Sequence, residues 1–455
     1  MNIIITLITI IIFSAISFFF WFFLLKKEHG RIIASLDNIF IICFQSIYCI
    51  LFPIIFYLTI KGFNSVEYTA VIKSYNPSDI FLYYFCLNIF LVLFTYAFRY
   101  NRKNDYYTPR NIIHTNIASD SNHTLLVSVS FLLVIGCICN FLFYRAYGGY
   151  FGYLPYATIV RAGVVAVNNP FTFLSPLRGC IGIACSVSFV AMIKTKKNFL
   201  PFLIIFLVSF ALTLMNMYAN RGRLSIIRFF VCLIIVFAFT SNKDYRISFK
   251  IFCFTLFLGI FSIVLLNYVG TVMGRNSDES FINAMCFELS FPFVSFKLEI
   301  ANMNLGSYRY FTDIFFFFLY FLPTRFWVNV VNYTASQVNT NFFSGAYKTT
   351  GGEIPVDIIS FSYMQGNILG IIVISLLAGF VFRWIYKAIT RIKSLELKSL
   401  LFVYLFINFM VNDIFYADTK DIAQRAFPLL LLLVIYQIAT IVRRNRKAEH
   451  LAVRI

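Results

Sequence analysis

The sequence predicts an all-α polytopic membrane protein with about 11 to 13 transmembrane helices. Three observations predict this class. The 455 residues are 60% hydrophobic and only 13% charged, with mean hydropathy +0.80. A water-soluble chain of this length needs far more polar side chains to cover its surface. Apolar runs of about 20 residues recur, matching a bilayer core at helical rise. The runs do not alternate apolar with polar residues, as the strands of a membrane barrel would.

Taken in order, the apolar spans fall at 3–25, 39–60, 79–98, 124–144, 171–193, 199–217, 224–241 and 247–269, then at 358–386, 399–416 and 425–442. The first run is too long for a cleavable signal peptide. No Lys or Arg precedes it and no small-residue cleavage site follows. Lysines and arginines orient the spans, because short basic loops stay on the inner side. Lys26, Lys27 and Arg31 hold the first loop inside. Arg99, Arg102, Lys103 and Arg110 hold the third, and Lys194, Lys196 and Lys197 the fifth. Lys243, Arg246 and Lys250, then Lys387, Arg391, Lys393 and Lys398, then Arg443, Arg444, Arg446 and Lys447, continue the pattern. The N-terminus then lies outside, and both ends of the long stretch 270–357 also lie outside.

That stretch holds two further apolar candidates, 284–300 and 311–331. Both cross, for 13 spans, or neither does, for 11. The first carries Glu288, Lys297 and Glu299, which suits a re-entrant or surface segment better than a lipid-facing helix. No Gly/Ser or Pro linker, internal repeat or soluble domain interrupts the chain. It reads as one membrane domain, 1–455, with an outward or re-entrant segment at 270–357.

The formal net charge of +19 would suggest nucleic acid in a soluble chain. Here the cations cluster in short loops, so the partner is the membrane. The ten cysteines all sit in apolar runs without a CxxC, which predicts neither a disulfide nor a thiolate metal site. There is no P-loop, Rossmann glycine pattern, Ser–His–Asp set or metal-ligand cluster, so the expectation is no cofactor and no metal.

The outward arginines are what orientation leaves unexplained. They are Arg145, Arg161, Arg178, Arg221, Arg223, Arg228, Arg275, Arg309, Arg325 and Arg425. A guanidinium fork binds phosphate through two parallel bonds, where lysine is a point charge. Arg221 and Arg223 share the tight turn Asn220-Arg221-Gly222-Arg223, which also suits snorkelling to lipid headgroups. Arg178 lies about a third of the way into its span, a depth that requires a partner or a wet cavity. Arg161 follows an aromatic loop containing Tyr144, Tyr147, Tyr150, Tyr153 and Tyr156. Arg275, Arg309 and Arg325 are individually closer to ordinary surface charges.

Among the outer carboxylates, Glu353 follows Gly351-Gly352 and precedes Pro355, so its backbone can approach a ligand. It is a candidate general base, or equally the partner of an outer Arg. Asp357, four residues on, is a second catalytic candidate or simply a helix N-cap. Asp413, Asp418, Asp421 and Arg425 surround the last outer turn. The four histidines, His29, His114, His123 and His450, all fall inside, so outer acid–base chemistry needs carboxylate, Tyr or Lys.

With these residues in view, the chain resembles the Wzy-type polymerases that join lipid-linked oligosaccharide repeat units outside the bacterial inner membrane. The topology, the Asn220-Arg221-Gly222-Arg223 turn, and Gly351-Gly352-Glu353 followed by Gly366-Asn367-Ile368-Leu369-Gly370 carry the resemblance. An Arg-x10-Gly loop pattern found in some members is absent. The resemblance implies a metal-independent C-type glycosyltransferase of the inner membrane, with its active site facing the periplasm. Donor and acceptor would be glycans on undecaprenyl diphosphate, and a chain-length regulator could join them. Arg161, Arg178, Arg221, Arg223, Arg275 and Arg325 would bind the diphosphate or glycan, and Glu353 would activate the acceptor hydroxyl. The rival readings are a repeat-unit flippase or other transporter, and an O-antigen ligase. Such a ligase is expected to use an outer His, which this chain lacks.

Overall fold

Long apolar runs form helices because an isolated segment in hydrocarbon has no other way to satisfy its own backbone hydrogen bonds. The computed structural model describes residues 2–25, 27–28, 31–32, 36–100, 120–157, 169–194, 198–220, 281–304, 306–322, 333–344, 354–392 and 416–452, with isolated positions between them. These residues are helical apart from loops and one short antiparallel pair, Lys27–Glu28 with Arg31–Ile32.

Eight helices among the described residues are long and apolar enough to cross a membrane: Ile3–Leu24, Phe40–Ile60, Pro77–Arg99, His123–Arg145, Thr172–Met192, Phe199–Ala219, Ile358–Ile389 and Thr419–Arg443. This is a multi-pass membrane protein. The eight coincide with eight of the spans read from hydropathy. The other three, 224–241, 247–269 and 399–416, lie outside the described residues.

Two helix groups meet. In the first, Pro77–Arg99 packs with Ile358–Thr390, and Asn2–Leu24 packs on Pro77–Arg99 and on the second span. Glycine sets one of these contacts. A Cβ at Gly379 would stand 2.6 Å from the Phe94 carbonyl oxygen and 2.7 Å from the Ala97 Cβ, so only Gly allows this approach. At the basic end, Arg99 donates to the Asp37 carboxylate at 2.6 Å and to the Leu24 carbonyl at 2.8 Å. That pair ties three spans together. The second group contains Asp120–Arg145, Cys180–Lys194, Phe199–Asn220 and Thr419–Ala452.

The second span contains a π-helical segment, Gln45–Leu51, between Leu36–Phe44 and Phe52–Ile60. Such a bulge rotates the side chains that follow it. Here it places Tyr48 in the interior, 0% exposed.

Among the described residues, neither of the two extra apolar candidates holds a helix long enough to cross. The first resolves into Phe281–Leu289 and Phe291–Asn304, divided at Ser290. The second is an apolar helix over Thr312–Phe321. At 1.5 Å per residue the Phe291–Asn304 helix is about 21 Å long, short of a core about 30 Å thick. It is buried along nearly its whole length, so it is an interior helix. Its Lys297 pairs with Asp79, and Tyr75 donates to the Phe293 carbonyl at 2.6 Å. Asp79 also closes a capping box with Asn76 at the start of Pro77–Arg99. One carboxylate therefore caps a span and neutralises the lysine of the interior helix.

Candidate functional site

Two polar clusters stand out from the apolar packing. The first surrounds Arg178. Pro176–Gly179 forms a 3-10 turn that opens the Cys180–Lys194 helix, and it buries Arg178 to 7% exposure. The guanidinium donates to Asn140 Oδ1 at 3.1 Å, the Tyr144 hydroxyl at 2.6 Å and Asn216 Oδ1 at 3.4 Å. It lies 4.0 Å from the Phe143 ring centroid and 4.7 Å from that of Tyr144, within cation–π range. All three acceptors are neutral, and no carboxylate among the described residues pairs with it. Tyr144 and Asn216 sit near the C-terminal ends of Asp120–Arg145 and Phe199–Asn220, where the helix dipoles favour a cation. Aromatic residues fill the surroundings. Phe143, Tyr144, Tyr153, Ala157 and Ala219 form one cluster, flanked by Tyr147 and Tyr150. Tyr150 donates to the Met215 carbonyl at 2.8 Å.

The second cluster gathers buried carboxylates around a break in the Ile358–Thr390 helix. Asp357 is its N-cap, accepting from the Ile359 and Ser360 amides at 3.3 and 3.2 Å. It also accepts from the Tyr48 hydroxyl at 3.0 Å and from the Ser360 hydroxyl. Burial pushes its carboxyl up to about 7, against the pull of the Ser360 and Tyr48 donors. Asp357 is 0% exposed, and both its oxygens are engaged in the cap and its hydroxyl donors. Asp418 does the same for the last helix. It accepts from the Lys420 amide and, across the fold, from the Ser336 amide, each at 2.9 Å. A backbone bond of 2.7 Å from the Ala417 amide to the Val356 carbonyl joins the two capping segments.

The break falls at Gly366–Asn367, where helical dihedrals stop; Asn367 has φ 58° and ψ −139°. The freed carbonyls of Met364 and Gln365 accept from the Arg309 and Tyr310 amides, each at 3.1 Å. A loop thus replaces the missing helical turn, as buried broken helices require. An ion pair holds that loop. Arg309 grips Asp313 through two bonds of 2.5 and 2.6 Å and the Tyr333 carbonyl at 2.8 Å. Gln365 donates to Asp313 at 2.8 Å. Glu299 completes the cluster from the interior helix at 0% exposure.

Of the residues expected to form a site, Arg178 and Asp357 are described, in separate clusters. Arg161, Arg221, Arg223, Arg275, Arg325 and Glu353 lie outside the described residues. Arg309, expected as an ordinary surface charge, is instead committed to Asp313 and half-buried; an i, i+4 spacing makes that pairing local. Glu299, Asp313 and Gln365 come together only in the fold. The spacing of Arg309 and Asp313 was the one available signal. No protein-family model, curated protein or solved structure matches the chain.

Proposed function

We propose that this protein is a glycosyltransferase that polymerises glycan repeat units carried on undecaprenyl diphosphate at the periplasmic face of the bacterial inner membrane. The observation that carries this reading is Arg178. A buried guanidinium with only neutral acceptors is suited to an anionic ligand, and its fork matches the geometry of a phosphate. Two members of its aromatic cluster sit near other arginines in sequence. Ala157 is four residues before Arg161, and Ala219 is two before Arg221. The tyrosines offer flat faces and hydroxyls to sugars.

In the proposed reaction an acceptor sugar hydroxyl attacks the anomeric carbon of the donor glycan. The bond from that carbon to the diphosphate oxygen breaks, and the diphosphate leaves on its lipid. Arginines stabilise the charge that develops on the leaving oxygen. The hydroxyl proton passes to a carboxylate, for which Glu353 is the candidate.

A second reading has its own observation. A broken helix beside buried carboxylates is a feature of carriers, which favours a repeat-unit flippase. A deletion strain separates the two. Polymerase loss leaves lipid A core bearing a single repeat unit, and flippase loss removes the glycan altogether. In the complemented strain, Arg178→Ala at normal protein level should abolish long chains. Unchanged chains with Arg178→Ala would remove Arg178 from the site.

A further inference from the structure

Glu299 is the one carboxylate of the buried cluster whose partners do not account for it. Asp313 has Arg309, Asp79 has Lys297, and Asp357 and Asp418 have helix amides. Glu299 accepts only from Asn302 Nδ2, at 3.4 Å, and its Oε1 meets no donor among the described residues. Two more buried acceptors nearby in the fold share that condition. They are Asn339 Oδ1, whose amide nitrogen binds Ser295 one turn before Glu299, and Gln365 Oε1 at the helix break. Buried oxygens are normally matched by donors. This region has a surplus of acceptors.

The groups facing Glu299 explain why no cation fills the gap. On the Pro77–Arg99 helix, Asp79 is already joined to Lys297. The Ala335–Ser344 helix carries no ionisable side chain. On Val66–Lys73, Glu67 and Lys73 are exposed, and the buried Tyr68 packs its ring 5.9 Å from that of Phe291. Ahead of the broken helix stands Asp357, and Tyr363 within it stacks 5.2 Å from Phe296. Among the described residues Arg309 is the cation that acts on Glu299, and its Nε and Nη2 are taken by Asp313 and the Tyr333 carbonyl.

We propose that Glu299 is a proton-binding site, occupied when the interior helix packs against the broken helix, and that losing this proton loosens that contact. The neutral carboxyl brings the donor that the acceptor-rich region lacks. The ionised form would add an unmatched negative charge beside Asp313 and Asp357. Burial pushes the Glu299 carboxyl up to about 8, with Asn302 and Arg309 pulling down and Asp357 and Asp313 adding to the rise. The site therefore exchanges its proton near neutral pH. The inference does not depend on the proposed reaction, and its test reads no glycan.

Infrared spectroscopy of the full chain in lipid nanodiscs tests it, with ¹³C-carboxyl glutamate separating Glu299 from Asp357. A protonated glutamate C=O band should be present at about pH 6 and fall by half near pH 8. The band should be missing in Glu299→Gln. Hydrogen exchange over 291–304 should accelerate above that pH, beyond the intrinsic chemical rate, in the wild type and not in Glu299→Gln. Absence of the band at about pH 6 would overturn the proposal. So would sodium restoring the slow exchange at about pH 9, which would make this a cation site. If Glu299→Gln fails to fold, the labelled wild-type titration still decides.

Discussion

Replacing Asp313 by Asn tests whether the Arg309 latch holds the helix break. The substitution keeps the shape and removes the charge. Arg309 loses its two-pronged contact of 2.5 and 2.6 Å and keeps at most one neutral acceptor at position 313 beside the Tyr333 carbonyl. Gln365 loses its charged acceptor. The Arg309 side chain is 14% exposed and that of Asp313 1%, so water does little to screen the loss. Breaking one side of a buried pair costs about 3–5 kcal/mol. Tenfold per 1.4 kcal/mol makes local opening roughly a hundred- to a few-thousand-fold more frequent. The assay is hydrogen exchange at the Arg309 and Tyr310 amides, which donate to the Met364 and Gln365 carbonyls across the break. Those two amides should exchange faster by about that factor, while the Pro77–Arg99 helix stays protected. Unchanged exchange at both would refute the latch.

Other expectations follow from the same geometry. Gly370→Ala places a Cβ 2.1 Å from the Ser362 carbonyl oxygen, and Gly366→Ala meets nothing within 4 Å. Thermal unfolding in detergent should therefore drop for Gly370→Ala, by about 1–3 kcal/mol or more, and change far less for Gly366→Ala. Tyr48→Phe removes a donor from Asp357 and should cost about 1.5–3 kcal/mol in the same assay. Stability should depend on pH. Burial raises Asp357 from 3.8 to about 7 and Glu299 from 4.5 to about 8, so the folded state holds these protons more tightly than the unfolded chain. Their contribution is present at low pH and is lost as pH climbs from about 4 through about 8. Melting temperature measured across that window should fall, and the fall should shrink in Glu299→Gln.

The membrane class and eight of the spans were legible because hydropathy over about 20 residues is a property of composition alone. The cap at Asp357 was legible from Pro355 and the apolar run behind it. The break at Gly366–Asn367 was not. The apolar run continues through both residues, and an average over a span does not register one backbone angle. The interior position of Phe291–Asn304 was hidden for a different reason. Lys297 and Glu299 argue for a wet surface until Asp79, 218 positions away, is seen to neutralise the lysine. Long-range pairing of that kind leaves no periodic trace. Arg178 was found by its depth in a span, and its neutral partners on two other helices emerged only from the fold.

The central claim is tested most directly with purified protein in liposomes supplied with a polyprenyl-diphosphate-linked repeat unit. Polymerase activity requires glycans of two or more units on one lipid, with release of polyprenyl diphosphate, and loss of both products with Arg178→Ala. Transfer of the unlengthened unit across the bilayer, with no new glycosidic bond, would contradict it.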